Sequence, residues 1–174
     1  MSEHVEATYQ SGDTDRSEII QSPEQLEALM DEAAAHEYPV WLELVIPGET
    51  EGVFDNTVLW IGLGAPFSSL MYTERGKDGN RYDSVGTLGA PDGATFGYGG
   101  TPTSMPAGSA IEVAAARAAA IEFLATGQRS SKVDWVIYDP PYVEPEPFSW
   151  GDLEEVEPGE PGPQPWEAHT TKTD

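Results

Sequence analysis

The three histidines are the side chains best suited to catalysis or metal binding at neutral pH. His4 lies near the N-terminus, His36 follows a predicted helix, and His169 lies near the C-terminus. A metal site or a Ser-His-Asp triad needs partner residues at defined spacing, and none of the three histidines has them. The chain also contains no cysteine, which excludes disulfides, thiolate metal sites and cysteine nucleophiles. The sequence therefore predicts a protein that is not an enzyme and that holds no metal and no cofactor.

Two glycine-rich stretches resemble loops that bind phosphate groups. GLGAPFSS at 62–69 has no P-loop lysine and lacks the third glycine of the dinucleotide-binding fingerprint. GYGG at 97–100 ends a strand-like segment. We interpret the first stretch as a hairpin turn and the second as a β-bulge or turn, so neither predicts a ligand site.

Carboxylates are plentiful enough for acid–base chemistry. Glu43 points outward from a predicted strand, and Glu49, Glu51 and Asp55 occupy the loop that follows. A catalytic pair needs at least one pKa raised by burial, and a polar loop gives no reason to expect such a rise. We interpret these acids as solvated or as facing a partner.

The charge of the chain is strongly negative and unevenly distributed. Thirty-one Asp and Glu residues against eight Lys and Arg residues give a net charge of −23. Residues 1–58 carry −13, residues 59–138 carry −1, and residues 139–174 carry −9. Such a surface repels phosphates and anionic lipids, which argues against direct binding to nucleic acid or membranes. Solubility is one explanation of the acidic excess, but its concentration at both ends favours a basic protein partner.

Two segments have the periodicity and end signals of helices. The first, at 22–36, begins with Ser22 as its cap. The second begins with a capping box of Ser109 and Glu112, continues through eight alanines and ends before Gly127. The residues predicted to face the core are Leu26, Leu29, Met30 and Ala33 in the first helix and Ile111, Ala114, Ala118, Ile121 and Ala125 in the second.

Short segments with alternating or β-branched residues predict strands between the helices and after the second one. Their boundaries are 39–46, 57–64, 67–74, 80–88, 94–100 and 132–139. The short connections favour antiparallel hairpins. We therefore expect an α+β fold in which two main helices pack on one face of a mostly antiparallel sheet of five to six strands, followed by a Pro-rich C-terminal extension.

Changes in composition divide the chain into three regions. We predict a flexible N-terminal arm at 1–17, with a short strand around 5–9, an α+β domain at 18–139, and an acidic Pro-rich tail at 140–174 that is partly docked. No stretch approaches the roughly 20 apolar residues that cross a bilayer, and the N-terminus lacks a signal-peptide pattern. Together with the absence of cysteine, this predicts a cytoplasmic protein.

The end of the second predicted helix and the strand after it carry the most distinctive pattern in the chain. The stretch AAIEFLATGQRSSKVDW, preceded by VLWIGLG and GYGG, resembles the Imm1 family of immunity proteins from bacterial polymorphic toxin systems. The similarity covers residues 21–138, and Ser130 stands where the family often has proline. The matching residues are Glu122, Phe123, Leu124, Thr126, Gly127, Arg129, Val133 and Trp135.

This junction also has a structural interpretation. Thr126 and Gly127 end the helix, and Arg129 and Lys132 can hydrogen-bond the carbonyls at its negative end. Trp135 can anchor the strand in the core. We therefore expect the junction to be scaffold and the recognition residues to lie elsewhere.

The resemblance implies an immunity function, because genes of this family typically neighbour toxins of the nucleic-acid deaminase superfamily. The expected protein is a monomer that binds one cognate toxin, a deaminase with a basic surface, and blocks its active site. Two alternatives stay open: an acidic DNA mimic that regulates a DNA-binding protein, and a small ligand-binding or hydrolytic α+β enzyme. From charge and aromatic character, the candidate toxin contacts are Glu49, Glu51, Asp55, Asp78, Asp83, Phe148 and Trp150.

Overall fold

Two helices and nine strands make up the described part of the chain. The computed structural model describes residues 4–11, 14–48, 55–76, 79–91 and 93–139. In chain order the elements are β1 (Val5–Ser11), β2 (Thr14–Ile20), α1 (Pro23–Ala34), β3 (Val40–Ile46), β4 (Thr57–Leu63), β5 (Leu70–Thr73), β6 (Arg81–Ser84), β7 (Thr95–Tyr98), β8 (Thr101–Ser104), α2 (Val113–Thr126) and β9 (Trp135–Ile137). Neither helix in these ranges has both the length and the apolar character needed to span a bilayer.

The strands form one sheet in the order β2-β1-β3-β4-β5-β6-β9, and each neighbouring pair is antiparallel. β7 lies off this path, because it pairs in parallel with β3 through Val40 and Gly97 and antiparallel with β8. The predicted α+β class and the mostly antiparallel sheet are confirmed. The described ranges hold nine strands, however, instead of the five or six predicted.

The inner face of the sheet is the face that packs against both helices. At its centre Leu42 of β3 lies beside Ile61 of β4, and Leu44 lies beside Leu59. These four side chains are at most 1% exposed and belong to one apolar cluster with the buried residues of α1 and α2. Burial of this cluster is the main force that holds the helices on the sheet.

β1 and β2 pair in antiparallel fashion in a region where the sequence analysis expected an arm as far as residue 17. Val5, Ala7 and Tyr9 alternate with polar residues, and all three are buried. The Tyr9 hydroxyl also donates a hydrogen bond to the Glu32 carboxylate of α1, with 2.7 Å between the oxygens. Burial of every second side chain at the start of β1, together with Ile20 of β2, offsets the entropy cost of ordering this polar segment.

α1 follows the sequence prediction closely. Ser22 is its N-cap, and the Ser22 hydroxyl oxygen accepts a hydrogen bond from the Gln25 backbone N–H at 3.2 Å. Pro23 occupies the first turn, where its missing N–H has no intrahelical partner to lose. The four residues predicted to face the core are all buried: Leu26, Leu29, Met30 and Ala33.

α2 begins at Val113, so the capping box predicted at Ser109 is wrong. Ser109 is buried, and its hydroxyl oxygen lies 2.7 Å from the hydroxyl oxygen of Ser69. Ile111 forms an isolated β-bridge with Ser68. Because these residues bind the sheet, the helix starts after them.

The buried stripe of α2 also differs from the predicted one. Its buried residues are Ala116, Ala119, Ala120 and Phe123, whereas Ala114 and Ala125 are exposed. An alanine-rich helix is apolar on all sides, so periodicity defines its buried face poorly. Contact with the inner face selects the stripe instead.

Candidate partner-binding face

The outer face of the sheet is the face opposite the helices. One registered row crosses β3, β4, β5, β6 and β9 on this face, and we call its members the central row: Glu43, Trp60, Met71, Asp83 and Val136. Glu43, Trp60 and Met71 are partly exposed, Asp83 is buried, and Val136 is 52% exposed. The central row therefore combines two carboxylates with three apolar side chains.

The hairpin of β7 and β8 folds onto the outer face. Phe96 of β7 is fully buried, with its ring centroid 4.8 Å from that of Trp41. Gly62 of β4 lies against this ring, since a Cβ there would be 2.5 Å from Phe96 Cζ. Phe96 thus anchors the hairpin and fixes the position of Tyr98, two residues further along β7.

Tyr98 forms a cluster with Glu43 and Trp60, which we call the aromatic–carboxylate cluster. The Tyr98 hydroxyl donates a hydrogen bond to Glu43 Oε2 at 3.2 Å. The Tyr98 and Trp60 rings meet in a T-shaped arrangement with 4.6 Å between their centroids. Burial of the Glu43 carboxyl raises its pKa, and the hydrogen bond from Tyr98 opposes that rise. Within the described ranges, no Lys or Arg forms an ion pair with Glu43.

Arg81 binds the other carboxylate of the central row. Its guanidinium pairs with Asp83 at 3.1 Å and lies over the Tyr138 ring, with 4.2 Å from Cζ to the ring centroid. It also contacts Met71 Sδ at 3.0 Å. Asp83 is 6% exposed, so this predicted toxin contact is a buried acid with an internal cation as its partner.

The end of α2 is closed by backbone and carboxylate hydrogen bonds. Gly127 has a φ of 68°, and its N–H donates to the Phe123 carbonyl at 2.7 Å. Glu122 accepts a hydrogen bond from the Ser130 hydroxyl at 2.7 Å and one from the Ser131 backbone N–H at 3.4 Å. These bonds, chiefly the one from Ser130, lower the pKa of the Glu122 carboxyl.

Trp135 and Arg129 join this turn to the sheet. Trp135 packs against the core while partly exposed, and its indole N–H donates to the Ser130 carbonyl at 2.9 Å. Arg129 lies over the Tyr82 ring, 3.6 Å from Cζ to the centroid, and 3.9 Å from the Glu74 carboxylate. The interactions of Arg129 are therefore with an aromatic ring and an acid, in place of the helix carbonyls that the sequence analysis expected.

Comparison with protein families identifies the chain. A family model described as immunity protein Imm1 matches residues 14–136, which is more than half of the chain. The chain belongs to the Imm1 family. The match runs from β2 into β9 and so includes both helices, the central row and the turn after α2. No curated protein matches the chain.

In this Imm1-family protein, four arginines of the described ranges form internal ion pairs. The pairs are Arg16 with Glu18 and Glu32, Arg81 with Asp83, Arg117 with Glu27 and Asp31, and Arg129 with Glu74. Pairs near the surface contribute little stability, but they cancel positive charge that would otherwise face solvent. The remaining acids therefore dominate the field around the protein.

Of the seven predicted toxin contacts, Asp55 and Asp83 lie in the described ranges. Asp55 packs against Gly48, where a Cβ would be 2.1 Å from the Asp55 carbonyl oxygen. The others lie outside the described residues: Glu49, Glu51, Asp78, Phe148 and Trp150.

Within the described ranges, no group of three or more His, Asp or Glu residues is arranged to hold a metal ion.

The sequence analysis did not single out Trp60 or Tyr98. A signal for Trp60 existed, because Val58 and Trp60 occupy outward positions of β4 that a solvent-facing strand usually fills with polar residues. The contact between Tyr98 and Glu43 has no local signal. It depends on where the β7–β8 hairpin folds onto the sheet, which periodicity does not specify.

Proposed function

We propose that this Imm1-family protein binds one cognate antibacterial toxin and neutralises it by binding alone, without turning over a substrate. The match of the Imm1 family model over residues 14–136 carries this proposal. The expected site of action is the cytoplasm, where the incoming toxin would meet its target. The protein acts there as a monomer in a 1:1 complex.

The proposed toxin is a nucleic-acid deaminase with a basic surface. An enzyme that acts on nucleic acid needs positive charge to bind phosphates. The net charge of −23 on this protein is complementary to such a surface. The internal pairing of four arginines supports the proposal, because it leaves few cations to repel a basic partner.

The proposed mode of inhibition is occlusion of the active site. Acids on the inhibitor would occupy positions that substrate phosphates take, while a few apolar groups supply most of the affinity in an interface of about 1,600 Å². The predicted contacts stay part of the proposal: the loop acids Glu49, Glu51, Asp55 and Asp78, the β6 acid Asp83, and the tail aromatics Phe148 and Trp150.

Growth of bacteria that express the toxin domain encoded beside this protein's gene tests the proposal. Co-expression of the protein should restore growth and suppress deamination of cellular nucleic acid. A catalytically inactive toxin is the control, because it should permit growth with or without the protein. If cells with an active toxin die although the protein is folded and abundant, the proposed function is wrong.

A further inference from the structure

The two carboxylates of the central row differ in the partners that surround them. Asp83 has an internal arginine 3.1 Å away, and that arginine stacks on an aromatic ring 4.2 Å away, that of Tyr138. Glu43 has aromatic neighbours too, because Tyr98 hydrogen-bonds to it and Trp60 lies opposite it in the neighbouring strand. What Glu43 lacks, among the described residues, is the cation.

The combination of guanidinium, carboxylate and aromatic ring recurs elsewhere in the fold. Arg129 lies 3.6 Å from the Tyr82 ring centroid and 3.9 Å from the Glu74 carboxylate. An arginine suits this environment because its planar group stacks on rings while donating hydrogen bonds to a carboxylate. The aromatic–carboxylate cluster offers the same two kinds of partner.

We propose that Glu43, Trp60 and Tyr98 form a subsite that receives one arginine side chain of the toxin. This inference rests on the proposed function and adds a contact that the sequence analysis did not assign. The cluster is accessible, since all three residues are partly exposed, and it lies on the sheet face that the helices leave uncovered.

A cation from the partner would also relieve an unfavourable feature of the free protein. A carboxylate that is partly removed from water loses hydration, and a nearby opposite charge offsets that loss. The raised pKa of Glu43 is consistent with a carboxylate in this condition. Binding of an arginine next to the rings would stabilise the ionised form.

Binding of the toxin to the Glu43→Gln variant tests the subsite. Glutamine keeps the size of the side chain and an oxygen for the Tyr98 hydroxyl, but it removes the charge. Loss of a desolvated charge pair should raise Kd at least about 30-fold, mainly through a faster koff. Glu112→Gln is the matched control, because it removes one charge from an exposed acid next to α2. That control should change Kd less than about threefold.

Double-mutant cycles identify the toxin residue. Combining Glu43→Gln with single arginine-to-alanine changes in the toxin should reveal one arginine whose loss is non-additive by at least about tenfold. Trp60→Leu should weaken binding of the wild-type toxin and have a smaller effect once that arginine is absent. If Glu43→Gln binds within threefold of an inhibitory wild-type protein, the subsite is wrong and the proposed function stands.

Should the wild-type protein fail to bind the toxin, the proposed function is wrong, and a probe independent of the toxin decides the subsite. That probe is N-acetyl-arginine methylamide, titrated while the Trp60 indole and Tyr98 ring resonances are followed by NMR. Saturable shifts in the wild type that disappear in Glu43→Gln support a cation subsite. Absent shifts, or equal shifts in both proteins, overturn it.

Discussion

Glu43 and Glu122 are two carboxylates whose pKa values move in opposite directions. Burial on the outer face raises the pKa of Glu43. Hydrogen bonds from Ser130 and Ser131 lower the pKa of Glu122 at the turn after α2. At the residue scale, the environment of Glu43 disfavours its charged form, and the environment of Glu122 favours its charged form.

Glu43→Gln should stabilise the free protein at neutral pH. The folded-state pKa of Glu43 lies above its unfolded value, so ionisation lowers the free energy of unfolding as pH rises through the folded pKa. The gain from the variant should therefore appear at pH 7 and vanish below the unfolded pKa of 4.5. Urea unfolding at pH 7 and pH 3.5, roughly one unit below that value, measures it. Glu37→Gln, an exposed acid, controls for net charge; an equal gain in that variant would contradict the burial argument.

Glu122→Gln should have the opposite pH dependence. The folded-state pKa of Glu122 lies below its unfolded value, so its contribution to stability is present above the unfolded pKa and is lost as pH falls through the folded pKa. The variant should have a lower Tm than the wild type at pH 7, and the two values should converge in acid. A Tm difference that is the same at pH 7 and in acid would mean that the charge of Glu122 does not contribute to stability.

At the scale of elements, local sequence patterns predicted the structure correctly where a segment's own residues determine it. The cap and apolar periodicity of α1 agree with its buried face. The strand alternation of β3 and β4 agrees with their buried inner faces. The β1–β2 hairpin, the start of α2 and the docking of β7 depend on contacts between distant residues. Ser109 with Ser69 and Phe96 with Trp41 are such contacts. The aromatic–carboxylate cluster also depends on contacts between distant residues. The sequence therefore predicted that Glu43 faces outward, but it did not predict the neighbours of Glu43.

Gly62→Ala should weaken the docking of the β7–β8 hairpin. The new Cβ would lie 2.5 Å from Phe96 Cζ, so the fully buried ring or the strand must shift. We expect the free energy of unfolding in urea to fall by about 1–3 kcal/mol. Gly89→Ala is the matched control, because a Cβ at Gly89 meets no atom within 4 Å. Equal stability of the two variants would show that Phe96 does not depend on the space at Gly62.

At the scale of the whole molecule, charge distribution connects the fold to the proposed function. The net charge is −23, while four arginines of the described ranges form ion pairs within the fold. A long-range field of one sign accelerates encounter with a basic partner, whereas buried contacts determine how long the complex lasts. The overall charge of the protein is therefore expected to set how fast the toxin associates, and the outer face of the sheet is expected to supply affinity.

Association of the protein with its toxin should depend strongly on salt. Raising NaCl from about 0.05 to 0.5 M should lower kon by roughly 10- to 1,000-fold, because the Debye length shortens and steering is lost. koff should change far less, since close contacts are screened weakly. Stopped-flow or biosensor kinetics measure both constants. A kon that is insensitive to salt would contradict electrostatic steering.

Titration of a fixed amount of purified toxin with the protein tests the central claim most directly, namely that binding alone accounts for inhibition. The activity of the toxin should fall linearly and reach its minimum at one molecule of protein per toxin, and toxin separated from the complex should regain activity with its mass unchanged. Complete inactivation by a small fraction of an equivalent, or a covalent change in the toxin, would show that the protein acts as an enzyme.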